Sequence, residues 1–548
     1  MVKGNIFKRI ISVLVVFLIL MSALWWRVKL ATIDDAGKLG VWADQQYSDK
    51  VNLADLNYKL LDRNGKSLLD YKNKYYAVID QGAFTKNNLD TKSDDLYALI
   101  YILQNYNSKY DLSSIGLNGS DKKLTFEVDE TTYNKLKNIK NVKGFYTYSY
   151  SAVDRSQAWK IENLLTNTMD PSGDHKKGDD SLEMSIYNKT KANETPYMKF
   201  NKSIDGNITA QSFINGENNI NVRLTLDKAI EEKINSVLND NKYSKYNQIG
   251  AVLMESSTGK ILSMSQKDDT QANLNLGSRT ENGFEPGSIF KSIVEETGFE
   301  QKTLSLADKF SCKQKTYSGI YDKCPEKDHG ILNAEDAYIV SCNNIFAQIG
   351  DKVGRNNFLN TAKTQGLFKK VLGFDSEVTG DYAQLKDYEL SGQLAIGQSM
   401  RITPIQAISI PNTIVNGGTY IKPYIVDAYV DNNNNVVEQT QIQQYKAINK
   451  ANANIMKNEM IKVVKYGTGV AANTDNIEIG GKTGTSTRFD SKNKTSDGWF
   501  AGFFKVNNKY YSMVVFVKDI DVNNEQAANT AVPIFKDIVL NLNNYLSK

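Results

Sequence analysis

A serine and a lysine stand three residues apart in Glu285-Pro286-Gly287-Ser288-Ile289-Phe290-Lys291, directly after a Pro-Gly pair. The Pro-Gly pair predicts the end of a loop and the start of a helix. Positions i and i+3 share one helix face, so the Ser288 hydroxyl and the Lys291 amine are brought together. An amine that loses its charge through burial and a second nearby cation can take the hydroxyl proton, which makes the serine a nucleophile for a carbonyl carbon. The spacing alone is weak, because Ser120 to Lys123 and Ser491 to Lys494 repeat it in polar stretches that read as solvated loops.

Two later stretches add to the first. Ser341-Cys342-Asn343 follows about fifty residues on, and Gly480-Gly481-Lys482-Thr483-Gly484-Thr485-Ser486 comes after the alternating Ile477-Glu478-Ile479, as on a strand. Taken singly, Ser341 and Asn343 could cap or join helices, and Lys-Thr-Gly could be an ordinary turn. Only two histidines, His175 and His329, occur in 548 residues, which argues against a histidine-based triad. His175 lies in the polar loop Asp170 to Gly178 and reads as a solvated surface residue.

The elements that must position these groups are legible in outline. A length of 548 residues predicts two or three domains, and a 41% hydrophobic content suffices for large cores. A net charge of +4 gives no support for nucleic-acid binding. Ile10 to Trp26 is uncharged and follows Lys3, Lys8 and Arg9, which predicts a transmembrane helix over 10–26 with a cytoplasmic tail over 1–9. A cleaved signal peptide is the competing reading. It is disfavoured because the stretch ends in Leu24-Trp25-Trp26 and not in a small-x-small site.

Residues 30–220 predict an N-terminal α+β module that serves as spacer or docking pedestal. Within it fall an Asn64-Gly65 hairpin, a helix near 94–106, a strand near 124–128 and a helix near 130–138. From 221 onward the pattern is α/β. A strand runs to Leu226, Asp227 caps an amphipathic helix, and Gly250 to Met264 reads as two buried strands around a Ser-Thr-Gly turn. With strands near 477–486, 498–504 and 510–517 these predict a central antiparallel sheet flanked by helices, one of them carrying Ser288.

In this order, S-x-x-K, S-x-N and K-T-G resemble the penicillin-binding proteins and serine β-lactamases. The anchor and N-terminal module make the chain similar to the monofunctional class B penicillin-binding proteins. The likeness extends through Ala395-Ile396-Gly397-Gln398, Tyr466-Gly467-Thr468-Gly469 and Trp499-Phe500-Ala501-Gly502-Phe503. It implies a penicillin-recognising serine transpeptidase fold over 221–548, on the outer face of the plasma membrane. It also implies a D,D-transpeptidase that cross-links D-Ala-D-Ala stem peptides of peptidoglycan and is acylated by β-lactams.

By that resemblance Ser288 is the nucleophile and Lys291 its base, Ser341 relays a proton, Asn343 holds Lys291 and the substrate amide, and Lys482, Thr483, Gly484 and Thr485 bind the terminal carboxylate. Gly481 and Gly484 would clear space for a substrate backbone. The resemblance also implies a membrane glycosyltransferase as partner in wall synthesis. The acyl-transfer chemistry itself requires no cofactor. A D,D-carboxypeptidase, a β-lactamase or β-lactam sensor, and an inactive wall-assembly scaffold are the rival readings.

Cys312, Cys324 and His329 fall within eighteen positions between Ser288 and Ser341, and Cys-x11-Cys-x4-His offers ligands of the kind zinc prefers. Some class B members carry zinc in the corresponding loop, which supports a structural zinc here. Asp308, Asp322 or Asp328 could add an oxygen, with Cys342 a less favoured fourth ligand because that position commonly packs inward. A Cys312 to Cys324 disulfide and simple packed thiols are the alternatives.

Overall fold

A computed structural model describes residues 2–34, 47–53, 56–88, 94–112, 122–203, 207–312, 328–383, 391–489 and 494–547. The chain divides into two compact units. The first comprises Met1–Asn57, Tyr71–Val153 and Glu194–Glu217, and the second Tyr58–Asp70, Asp154–Asn193 and Asn218–Lys548.

The first unit begins with helix α1 (Val2–Lys29), which is longer than its uncharged stretch because the charged flanks stay helical. Over Asn5–Ile33 the mean hydropathy reaches 2.3, so among the described residues one helix is long and apolar enough to cross a membrane. Further on, Tyr71–Asp80 pairs antiparallel with both Lys123–Val128 and Phe145–Val153. Alternation along the central strand sends Ala77 and Ile79 to one face and Val78 to the other. Ala77 and Ile79 pack with Leu99, Leu103 and Leu136 from helices Asp94–Tyr106 and Glu130–Leu136. Val78 joins Tyr146, Tyr148 and Phe200. The helices and the strand expected near 94–106, 124–128 and 130–138 are thus present at close bounds, but the Asn64-Gly65 hairpin and residues 154–193, read as part of the N-terminal module, belong to the second unit.

In the second unit we label helices α2 (Lys228–Leu238), α3 (Lys291–Glu300), α4 (Ala334–Ile339), α5 (Asn343–Val353), α6 (Lys450–Tyr466) and α7 (Ala531–Leu546), and strands β1 (Ile249–Glu255), β2 (Lys260–Gln266), β3 (Ile479–Phe489), β4 (Lys494–Val506) and β5 (Lys509–Ile520). The strands form the one antiparallel sheet that the sequence predicted, and the structure gives its order as β2-β1-β5-β4-β3. Asp227 caps α2 by accepting from the Ala229 and Ile230 amides at 3.1 and 3.4 Å. A separate four-stranded sheet joins Leu60–Leu61, Asn221–Leu224, Val426–Val430 and Val436–Gln439.

The pleat of β4 sorts its aromatic residues. Phe500 and Phe504 face α7, where both rings meet Phe535, in a core shared with Ile234 and Leu238 of α2. Trp499 points to the opposite face, packs on Phe516 at 4.3 Å between ring centroids, and donates its indole N–H to the Glu285 carbonyl at 2.9 Å. The buried tryptophan therefore ties the sheet to the chain segment that leads into Ser288.

Candidate active site

Ser288 sits in a 3₁₀ turn, Gly287–Phe290, that runs directly into α3, whose first residue is Lys291. Three residues per turn eclipse i and i+3, so the turn keeps Ser288 and Lys291 on one side. Gly287 has φ +54°, and a Cβ there would stand 2.6 Å from the Thr485 carbonyl oxygen. Gly397 is closer still: its Cβ would stand 2.0 Å from the Gly287 carbonyl oxygen, and the Gly287 amide donates to the Gly397 carbonyl at 3.0 Å. Backbone thus packs on backbone around the serine, with no room for side chains.

Ser341 lies in the turn between α4 and α5 and has φ +58°, a left-handed conformation that costs a non-glycine residue on the order of 1–3 kcal/mol. Lys291 holds it there. The Lys291 ammonium donates to the Ser341 carbonyl at 2.7 Å, to the Ser341 hydroxyl at 3.2 Å and to Asn343 Oδ1 at 2.7 Å. Lys482, on β3, donates to the same Ser341 hydroxyl at 2.8 Å and to the Thr483 carbonyl at 3.2 Å. Ser341 Oγ therefore bridges two lysines, both fully buried.

Two ammonium groups on one hydroxyl, out of water, disfavour each other's charge. Burial pushes the Lys482 pKa well below the ordinary lysine range, and the charge of Lys291 lowers it further. The Lys482 Nζ also lies 5.5 Å from the centroid of the Tyr338 ring, and Lys291 Nζ 5.3 Å from that of Phe346. Such an arrangement can accept a proton from a hydroxyl and pass it along Lys291, Ser341 and Lys482.

Thr483 and Thr485 extend along β3. Thr483 Oγ1 shares a 2.6 Å hydrogen bond with Thr468 Oγ1, and Thr485 Oγ1 accepts from the Ala527 amide at 3.0 Å. Thr468, the indole of Trp499 and Tyr338 were not singled out for roles by the sequence, since nothing in their local spacing reports a contact across the fold. For Gly481 and Gly484 the structure shows a different reason for glycine than open space for substrate. A Cβ at Gly484 would stand 2.4 Å from the Pro286 carbonyl oxygen, and one at Gly481 2.4 Å from the Phe500 ring. Both glycines admit protein, and Gly484 lets the nucleophile turn press against β3.

Beside α5, Cys312, His329 and Cys342 converge, with their ligand atoms all within 4.8 Å of one another and Cys312 Sγ 3.8 Å from His329 Nδ1. Both thiols are buried. Cys342, expected to be the less favoured ligand, does pack inward, and doing so brings it to the other two. Cys324 and Asp322 lie outside the described residues. Asp308 is engaged elsewhere, with Lys352 and the Ser305 amide. Asp328 accepts from the Gly330 amide. These donors, two soft thiols and an imidazole, could hold a metal ion. His175 is exposed, as expected of a surface loop residue.

A family model for the penicillin binding protein transpeptidase domain matches residues 249–540. Stage V sporulation protein D of Bacillus subtilis is 26% identical over 509 residues, covering 88% of this chain and 76% of that protein. Two further relatives are each spanned over 49% of their length. Among solved structures, a peptidoglycan synthetase from Bifidobacterium adolescentis superposes with a TM-score of 0.62 at 19% identity, over 91% of this chain and 96% of the other. Penicillin binding protein 3 from Mycobacterium tuberculosis, complexed with aztreonam, gives 0.60 at 18% identity, over 91% and 97%. The chain belongs to the penicillin-binding protein transpeptidase family, and it is a serine D,D-transpeptidase.

Proposed function

We propose that the chain cross-links peptidoglycan from the outer face of the plasma membrane, with α1 as a single-pass anchor, the rest of the first compact unit as a pedestal and the second unit carrying the transpeptidase domain. The observation that carries this reading is the pair of buried lysines joined through Ser341 Oγ beside the Ser288 turn.

Ser288 Oγ attacks the carbonyl of the penultimate D-Ala, and its proton passes to Lys291. Charge that develops on the carbonyl oxygen is met by the amides of Ser288 and Thr485. Close packing of Gly287 on the Thr485 backbone supports that pairing. Ser341 delivers the proton to the departing D-Ala nitrogen, leaving an ester on Ser288. An amine of a neighbouring stem peptide attacks the ester, forms the new amide and restores the serine. Asn343 orients Lys291 and bonds the substrate amide. The hydroxyls of Thr483 and Thr485, backed by the charge of Lys482, meet the substrate carboxylate beside Gly484. A membrane glycosyltransferase that makes the glycan strand is the expected partner.

The test is incubation of the detergent-purified chain with a synthetic D-Ala-D-Ala stem peptide and an acceptor amine. A transpeptidase yields the exchanged amide with release of D-Ala. Hydrolysis alone would indicate a carboxypeptidase, and an unchanged peptide a scaffold.

We further propose that Cys312, His329 and Cys342 hold a structural zinc, with Cys324 the remaining candidate ligand. The metal would pin the segment ahead of Ser341 and would take no part in acyl transfer. Chelation is expected to remove about one equivalent of zinc, lower the melting temperature by several degrees and slow acylation together. Elemental analysis before and after chelation, paired with thermal unfolding, measures both. Protein purified without chelator that carries less than about a tenth of an equivalent would refute the zinc.

A further inference from the structure

Tyr338 lies fully buried in α4, three residues ahead of Ser341, and meets the segments that carry all three motifs. Its carbonyl accepts from the amide of Ser341, the residue with the left-handed backbone, at 3.1 Å. Its hydroxyl shares a 2.7 Å hydrogen bond with the hydroxyl of Ser292, the residue after Lys291 on α3. The centroid of its ring lies 5.5 Å from Lys482 Nζ, on β3.

Each contact controls something that the site needs. Successive residues of a helix leave its axis about 100° apart, so fixing Ser292 fixes the direction in which Lys291 leaves α3. That direction brings the Lys291 ammonium to the Ser341 hydroxyl at 3.2 Å and to Asn343 Oδ1 at 2.7 Å. An aromatic face attracts an ammonium that has been taken out of water, so the Tyr338 ring holds Lys482 where it meets the same hydroxyl at 2.8 Å. Phe346 of α5 continues the support: its ring centroid lies 5.3 Å from Lys291 Nζ and 6.1 Å from that of Tyr338. Ser292 is fully buried as well, so neither hydroxyl of the pair can exchange its partner for water without cost. Burial pushes the Tyr338 phenol well above the ordinary tyrosine range, and the group stays neutral.

We propose that Tyr338 is a positioning residue for acylation: through its bond to Ser292 and the face of its ring it aims Lys291 and Lys482 at Ser341 Oγ, in the arrangement that takes the proton of Ser288. Tyr338 acts through the two lysines and exchanges no proton itself. This inference rests on the reading in which Lys291, Ser341 and Lys482 move that proton.

The test is stopped-flow acylation of the full chain by a fluorescent penicillin, with the Kd of the non-covalent complex separated from the acylation rate constant and the rate expressed per labelled site. Tyr338→Phe keeps the ring and loses the hydroxyl, and should lower the rate constant about 3- to 10-fold with Kd within about twofold of wild type. Ser292→Ala removes the same bond from the other side and should do the same. Because both changes delete one interaction, the double variant should be no slower than the slower single variant. Tyr338→Leu removes the ring too, and should be slower than Tyr338→Phe by about a further tenfold. A purely structural role would lower the melting temperature and the labelled fraction and leave the rate per site unchanged. A wild-type rate constant in Tyr338→Phe, or single losses that multiply in the double variant, would therefore overturn the proposal. So would a Tyr338→Leu variant that folds and acylates as fast as Tyr338→Phe. The wild-type chain checks the underlying reading separately, since absence of label on Ser288 there would refute that reading, whereas the proposal is judged on rates relative to wild type.

Discussion

Ser288→Ala is expected to lose all covalent labelling by a fluorescent penicillin and all transpeptidation, while its melting temperature stays near that of the wild type. The two halves of this result have separate causes. The hydroxyl is the only atom that can form the ester, so no residual acylation pathway survives its removal. The side chain is half-buried at the mouth of the turn, and the turn is held by Gly287, Gly397 and the Trp499 indole bond, none of which involves the hydroxyl. A change that removes one oxygen and little volume falls within about 0.5–1 kcal/mol of neutral. Gel fluorescence and thermal unfolding on the same preparation measure both, and stoichiometric labelling of the variant would remove Ser288 from its role.

Lys291→Ala should differ in kind. Loss of a general base lowers the acylation rate on the order of 10²–10⁴-fold. Here stability falls too, because the ammonium that satisfies the Ser341 carbonyl and Asn343 Oδ1 disappears from a fully buried position. Each buried acceptor left without a donor costs about 1–3 kcal/mol, and Ser341 also loses the contact that holds its left-handed backbone. The variant should therefore bind penicillin slowly and melt several degrees lower. Second-order acylation rates and melting temperatures, measured against Ser288→Ala, separate the two effects. A near-normal rate would point to a different base.

The three motifs were legible because each is a short run of residue types whose local geometry the sequence already states. A Pro-Gly pair breaks the chain before a helix, alternation marks β3, and Asp227 announces α2. The central sheet followed from the buried hairpin over Gly250 to Met264 and the strand-like runs near 477–486, 498–504 and 510–517. What could not be read were relations across the fold. Lys177 sits in a stretch that reads as a polar loop, yet its ammonium is buried, 2.9 Å from Glu183 and 2.6 Å from the Leu164 carbonyl. Nothing in its local sequence singles out Glu459, which is buried where α6 packs against α3 and β3. Cys342 was the less favoured fourth ligand because its position commonly packs inward, and inward is where Cys312 and His329 lie. Gly484 was read as space for substrate, whereas the Pro286 carbonyl occupies that side.

The central claim is that Ser288 forms a durable acyl-enzyme, and intact-mass measurement of the purified full chain with benzylpenicillin over time tests it most directly. The account predicts one adduct per chain, mapped by peptide sequencing to Ser288 and persisting for hours after excess drug is removed. No adduct, an adduct on another residue, or an adduct lost within minutes as free penicilloate accumulates would contradict it.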